Sequence, residues 1–282
     1  MKTLVFAISL TVTVAAASSF DVTVSGKGQA MILIPGLSSS GDVWKETVAR
    51  YQSHFECHVL TLAGFAGVPP LEGPFLGRVR DDLAAYIKEK NLVKPVIVGH
   101  SLGGFLALDF ASKYPDVPGK VVIVDAYPFL PAVWSPNITA AEAAGYAKNV
   151  RNSMGSQTQQ QYEEYVKSGA STKMMVGNDQ QLATVVEWGL KSDRKAVMEA
   201  LAEMMTVDPR DSIAAIKCPT LVLGSWIGYK QYTDHDKTLA SLRTQYAKLK
   251  GVQIELTDRG HHFMMWDDAD WMYAQMDRFL GQ

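Results

Sequence analysis

The chain alternates short apolar runs with segments of helical period, and few folds accommodate that rhythm. The runs are AMILIPG (30–36), HVLTLAG (58–64), PVIVG (95–99), KVVIVDA (120–126), TLVLG (220–224) and VQIELTD (252–258). Between them the spacing predicts helices. DVWKETVARY (42–51) puts Trp44, Val48 and Tyr51 on one face, and Leu76–Asn91 aligns Val79, Leu83 and Ile87 at four-residue steps. Further helices are expected over Gly103–Lys113, closed by Tyr114–Pro115, and around Lys237–Lys248; a last one carries Met272, Met276 and Phe279 on one face. Strands that are apolar throughout must be covered on both faces, and strands separated by helices pair in parallel. The fold class is α/β.

One region breaks the alternation. Residues 131–214 hold no convincing strand but several helical segments, so they divide a core of 20–130 and 215–282. An insert of this kind has to sit outside the sheet, as a helical cap or lid. Thr139 and Glu142 fit a capping box ahead of AAEAAGYAKNV. The same stretch spells a glycosylation pattern, Asn137–Ile138–Thr139, but the helix pattern that follows at once favours the cap.

The first 19 residues read as an export signal: Lys2, an apolar run from Leu4 to Ala17, then Ala15–Ala16–Ala17–Ser18–Ser19 as the small residues a signal peptidase accepts. The expectation is a mature chain starting near Phe20 and exported, periplasmic or secreted, with no stable membrane anchor. Net charge is −2 with both signs interspersed, so the basic stripe of a nucleic-acid binder is absent. The sequence leaves the oligomeric state open.

The chemistry concentrates in PVIVGHSLGGFLALDFA (95–111), where Ser101 sits between Gly99 and Gly103 at the passage from strand to helix. A sharp strand–helix turn strains its central residue and leaves no room for neighbouring side chains. In exchange, the hydroxyl stands above the sheet at the positive end of a helix, with a backbone N–H free to hold an oxyanion. A serine serving only the turn is the competing reading. A serine nucleophile needs a base, and six histidines are available. His54 and His58 flank an early strand, His100 belongs to the turn, and His235 lies in a charged loop; all four read as surface or structural residues. His261 and His262 remain.

This constellation resembles the α/β-hydrolase family over nearly the whole chain after residue 19. AMILIPGLSSSGDVW looks like the family's strand and oxyanion loop, with Pro35 where a histidine is more usual. PVIVGHSLGG is similar to its nucleophile elbow, and HHFMMWDDADW (261–271) to its histidine loop. That last register selects His262 over His261, because Phe263 and Asp267 then fall where the family places an aromatic residue and an acid. The resemblance implies an eight-stranded, mostly parallel sheet, a cap after the sixth strand, and backbone oxyanion donors at Leu37 and Leu102. It also places the strand of Cys57 away from that of Cys218, so no disulfide is expected between them.

The triad acid departs from the family pattern. Its usual place lies just after TLVLG, where Trp226, Ile227 and Gly228 stand instead. Asp125, at the end of VVIVDA, is favoured because its strand end lies next to the nucleophile strand. Asp234 and Asp236 are the alternatives, Asp236 doubling as a helix cap.

These residues imply acyl transfer from a small, apolar carboxylic ester to water through Ser101, with no cofactor. An aspartate nucleophile at 101 would mark a dehalogenase, and is absent. The glycines lack the spacing and lysine of a phosphate loop, and Asp267–Asp268 read as caps of the last helix rather than metal ligands. Tyr127, Phe129, Trp134, Tyr146, Tyr162, Tyr165 and Trp188 read mainly as core, and otherwise as an apolar pocket. An amidase or peptidase with the same residues, and a binding member of the fold with little turnover, are the rival readings.

Overall fold

The structure is a computed structural model that describes residues 18–282; the stretch read as an export signal, apart from Ser18 and Ser19, lies outside the described residues. Seven strands form one sheet in the order β1-β3-β2-β4-β5-β6-β7. They are β1 (Phe20–Gly26), β2 (Gln29–Ile34), β3 (Phe55–Leu62), β4 (Val96–His100), β5 (Lys120–Val124), β6 (Thr220–Gly224) and β7 (Gln253–Leu256). All pairs are parallel except β1 with β3. The expected eight strands are therefore seven among the described residues. The stretch ahead of β2 supplies one strand rather than a hairpin, and that strand turns at Gly26 and Gly28 to pair with β3 instead of β2.

The helices follow the apolar spacing. They are α1 (Lys45–Tyr51), α2 (Leu76–Glu89), α3 (Leu102–Lys113), α4 (Ala140–Gly155), α5 (Gln159–Lys167), α6 (Asp179–Leu190), α7 (Arg194–Met204), α8 (His235–Gln245), α9 (Met264–Asp267) and α10 (Ala269–Leu280). Val79, Leu83 and Ile87 of α2 are buried on the same side of the sheet as α3 and α8. Met272 and Met276 of α10 are buried with Trp44 and Tyr51 on the other. Nine residues of α3 are buried, which is what a helix running under both a sheet and its neighbours requires. Among the described residues no helix is long and apolar enough to cross a membrane.

Helices α4 to α7 lie between β5 and β6, and no strand interrupts them. The Thr139–Glu142 capping box is formed: Thr139 Oγ1 accepts from Glu142 N–H while Glu142 Oε2 accepts from Thr139 N–H at 2.9 Å. The insert is fastened to the core by polar contacts. Glu203 of α7 accepts from Phe75 N–H and Leu76 N–H, at 2.7 and 2.8 Å, which satisfies amides that the start of α2 would leave unpaired. Of the aromatic residues between Tyr127 and Trp188, Phe129, Tyr162 and Trp188 are buried, whereas Trp134, Tyr146 and Tyr165 are exposed rather than core. Both cysteines are free, and β3 and β6 stand four strand positions apart, roughly 19 Å at the usual spacing.

Candidate active site

Ser101 follows β4 directly and precedes α3 directly, with φ 54° and ψ −118°. A left-handed φ in a residue with a side chain costs about 1–3 kcal/mol and needs surroundings that impose it. They do. Ser101 N–H donates to Val124 O at 2.9 Å, and its carbonyl accepts from Phe105 N–H at 3.0 Å, so the turn is pinned from both sides. A Cβ at Gly99 would lie 2.1 Å from Gly103 O, and one at Gly103 would lie 2.2 Å from Ile34 O. Only glycine fits at either place. The same packing brings the loop after β2 against the nucleophile: a Cβ at Gly36 would lie 3.2 Å from Ser101 Cβ.

That loop turns through Gly36–Leu37–Ser38–Ser39, closed by Ser39 N–H donating to Gly36 O at 3.2 Å, with Ser38 at φ 57°. The amide of Leu37 is not the one the turn consumes. Leu102 opens α3, where a helix leaves its first N–H groups without internal acceptors. Two backbone donors thus border the strained serine from separate elements.

Asp125 stands one residue beyond β5, also at positive φ, 49°, a region that aspartate enters more readily than most residues. Its N–H donates to Leu223 O at 2.7 Å, which fastens it to β6. Its carboxylate is held by three donors: Ser225 N–H on Oδ1 at 2.8 Å, Ser225 Oγ–H on Oδ2 at 2.8 Å, and the His262 ring nitrogen Nδ1 on Oδ2 at 2.6 Å. Burial pushes the Tyr229 phenol up to about 12, and the Asp125 charge adds to the rise; the same causes, in the same order, push Tyr127 up. Those phenols stay neutral beside the carboxylate.

His262 sits in the loop between β7 and α9, largely buried. Its neighbour His261 is turned elsewhere, with Nδ1 3.1 Å from Asp267 Oδ2. Asp267 also accepts from His261 N–H, and Asp268 binds Thr257 and Arg259. Neither carboxylate caps the last helix as the sequence suggested, since both are spent bracing the loop that carries His262. The rival acids are occupied too. Asp234, not Asp236, is the N-cap of α8, accepting from Lys237 N–H at 2.9 Å, because the helix starts at His235 rather than Lys237. The structure therefore brings Ser101, Leu37, Leu102, Asp125 and His262 to one edge of the sheet and leaves Asp234 and Asp236 out.

Sequence reasoning missed Ser225, and its reading of His100 as a surface or structural residue resolves to structural. Ser225 directly follows β6, the stretch searched for an acid, and it supplies donors to Asp125 instead. His100 is wholly buried between Trp44, His262 and Phe263. The insert meets the site directly: Phe263 N–H donates to Met175 O at 3.3 Å, and a Cβ at Gly228 would lie 2.1 Å from Met174 O. Among the described residues no group of three or more His, Cys, Asp or Glu side chains could hold a metal ion.

A strained serine at the carboxyl edge of a mostly parallel sheet, and a histidine that is hydrogen-bonded to an aspartate and whose carbonyl is bound by the residue preceding that serine, define a class. The model of the alpha/beta hydrolase family matches residues 31–275, and the chain belongs to that family. Its activity is that of a hydrolase, as in the relatives it matches. N-formylmaleamate deformylase of Pseudomonas putida is 25% identical over 262 residues, 90% of each chain. A pimeloyl-(acyl-carrier protein) methyl ester esterase of Vibrio atlanticus is 25% identical over 217 residues, 71% of this chain and 76% of that one. Among solved structures, an esterase from Exiguobacterium antarcticum superposes with a TM-score of 0.74 at 14% identity, covering 93% of this chain and 96% of that one.

Proposed function

We propose that the chain hydrolyses small, mainly apolar carboxylic esters through an acyl-enzyme on Ser101. The observation that carries this reading is the 2.6 Å hydrogen bond from His262 Nδ1 to Asp125 Oδ2, in a loop whose His262 carbonyl is bound by His100, the residue before the serine held at positive φ. Nδ1–H donating to the carboxylate leaves Nε2 of His262 as the free basic nitrogen. Nε2 takes the hydroxyl proton as Ser101 Oγ attacks the ester carbonyl, and Asp125 steadies the resulting imidazolium. The amides of Leu37 and Leu102 bind the oxyanion of the tetrahedral intermediate. Collapse expels the alcohol with the proton from His262, and water then repeats the sequence on the acyl-enzyme. Helices α4 to α7 act as the lid over this edge, and the backbone at Met174 and Met175 forms its inner rim. A kinetic screen of p-nitrophenyl esters of rising acyl length tests the reading. Turnover that peaks at short chains and vanishes in Ser101→Ala supports it, and no turnover with any ester overturns it.

Amide hydrolysis by the same residues is the second reading, favoured by one observation: a relative matched over nine-tenths of both chains is a deformylase. Paired ester and N-formyl substrates with the same leaving portion separate the two. Export through residues 1–19 belongs to the proposal as well, and sequencing the amino terminus of protein recovered outside the cytoplasm tests it.

A further inference from the structure

We propose that His100 is a positioning residue of the hydrolytic site, fixing the backbone of His262 and joining one strand and two loops that must keep register during acyl transfer. The proposal rests on the reading of Ser101 and His262 given above. His100 ends β4 and is bonded covalently to Ser101. Its Nε2 lies 2.9 Å from His262 O, and since a carbonyl only accepts, Nε2 carries the proton and donates. The two imidazole rings lie 4.5 Å apart between centroids, and the Phe263 ring lies 4.8 Å from His100. On its other side, Nδ1 abuts the oxyanion loop: a Cβ at Gly36 would lie 3.1 Å from it. One side chain therefore touches the nucleophile's own strand, the loop of the base and the loop of an oxyanion donor.

An imidazole is a costly way merely to fill that space. His100 is fully buried, and Nδ1 has no hydrogen-bond partner among the described residues. A buried polar atom left unpaired costs free energy that a leucine of similar bulk would not incur. What the ring does and leucine cannot do is donate to His262 O. Burial, with the neighbouring His262 adding to it, holds the ring well below its ordinary protonation range, so it stays a neutral Nε2–H donor and does not compete as a base. His262 is then located at two points, its carbonyl by His100 and its Nδ1 by Asp125. A catalytic group displaced by about 1 Å costs on the order of 10²-fold in rate, which is the scale of the expected effect.

The test measures kcat and KM for a p-nitrophenyl ester, together with the thermal midpoint, in His100→Leu, His100→Gln and His100→Asn. Ser101→Ala and His262→Ala serve as controls. Glutamine sets an amide N–H near the place of Nε2, whereas asparagine sets one near Nδ1. His100→Leu is expected to fold and to lose about 100-fold in kcat with KM nearly unchanged, and His100→Gln to recover most of that loss. Wild-type kcat in His100→Leu, with both controls inactive, overturns the positioning role and leaves the hydrolytic reading standing. Equal losses in the leucine and glutamine variants also overturn it, because a space-filling role does not depend on the donor. Should leucine prevent folding, a faster glutamine than asparagine variant supports the proposal and equal rates overturn it. Full activity in Ser101→Ala would instead overturn the hydrolytic reading, and this proposal with it.

Discussion

At the carboxyl ends of β4 and β5, Ser101 and Asp125 both hold positive φ, at 54° and 49°, and both are pinned by backbone bonds to the neighbouring strand. The inserted helices are built differently. Thr139, Thr158, Asn178 and Asp193 begin α4 to α7 from relaxed, extended backbone, each side chain accepting from an amide in the first helical turn. Along the sheet edge, local preference yields to packing. In the insert the starts of α4 to α7 follow local preference. Strain of about 1–3 kcal/mol per residue persists only where the surroundings leave no alternative; Ser101 and Asp125 carry it at the sheet edge, Ala66, Asn91 and Lys94 carry positive φ elsewhere in the core, and no such non-glycine residue falls in α4 to α7.

The largest expected effect breaks the sheet edge at its acid. Asp125→Asn should lower kcat about 10⁴-fold while circular dichroism stays unchanged, because the amide cannot hold His262 in the donating tautomer. Asp234→Asn should leave turnover intact, since its carboxylate serves the start of α8. Next comes the elbow. A methyl group at Gly103 collides with backbone oxygens of Ile34 and Pro35 at 2.2 and 2.7 Å, so Gly103→Ala should cost about 3 kcal/mol or prevent folding, read by chemical denaturation.

Acidification offers a third test. His100 is held neutral in the folded chain, with its pKa well below the ordinary 6.5. The unfolded chain therefore binds one more proton as pH falls below about 6.5, and stability drops by up to about 1.4 kcal/mol per pH unit until the folded pKa is reached. His100→Leu should remove that share of the slope in denaturant midpoints measured from pH 7 downward. In the insert, the smallest effect is expected: Thr139→Ala removes one cap, costs about 1 kcal/mol in thermal unfolding and leaves kcat unchanged.

How much of this was legible in the sequence follows the same division. The apolar runs placed β2 to β7, and Thr139 with Glu142 announced its own cap, because those signals are local. Ser101 was legible because the glycines that its strain requires lie within two residues of it. His262 and Asp125 were legible only as candidates, since what joins them is a contact across 137 positions of sequence. Strand β1 went unrecognised: it alternates weakly, is exposed along much of its length, and owes its place to β3. Ser225 was missed, and Asp267 and Asp268 were misread as helix caps, for one reason. Their partners, Asp125, His261 and Thr257, lie in other elements or across a turn, and residue type alone does not reveal which neighbour a polar side chain will serve.

The central claim is that the serine at the strained turn is a nucleophile activated by the histidine opposite. Treatment with a fluorophosphonate, followed by peptide mapping, tests it without knowledge of the natural substrate. A single adduct is expected on Ser101, absent in Ser101→Ala and formed orders of magnitude more slowly in His262→Ala. An unmodified Ser101, or an adduct formed as fast without the imidazole, would contradict it.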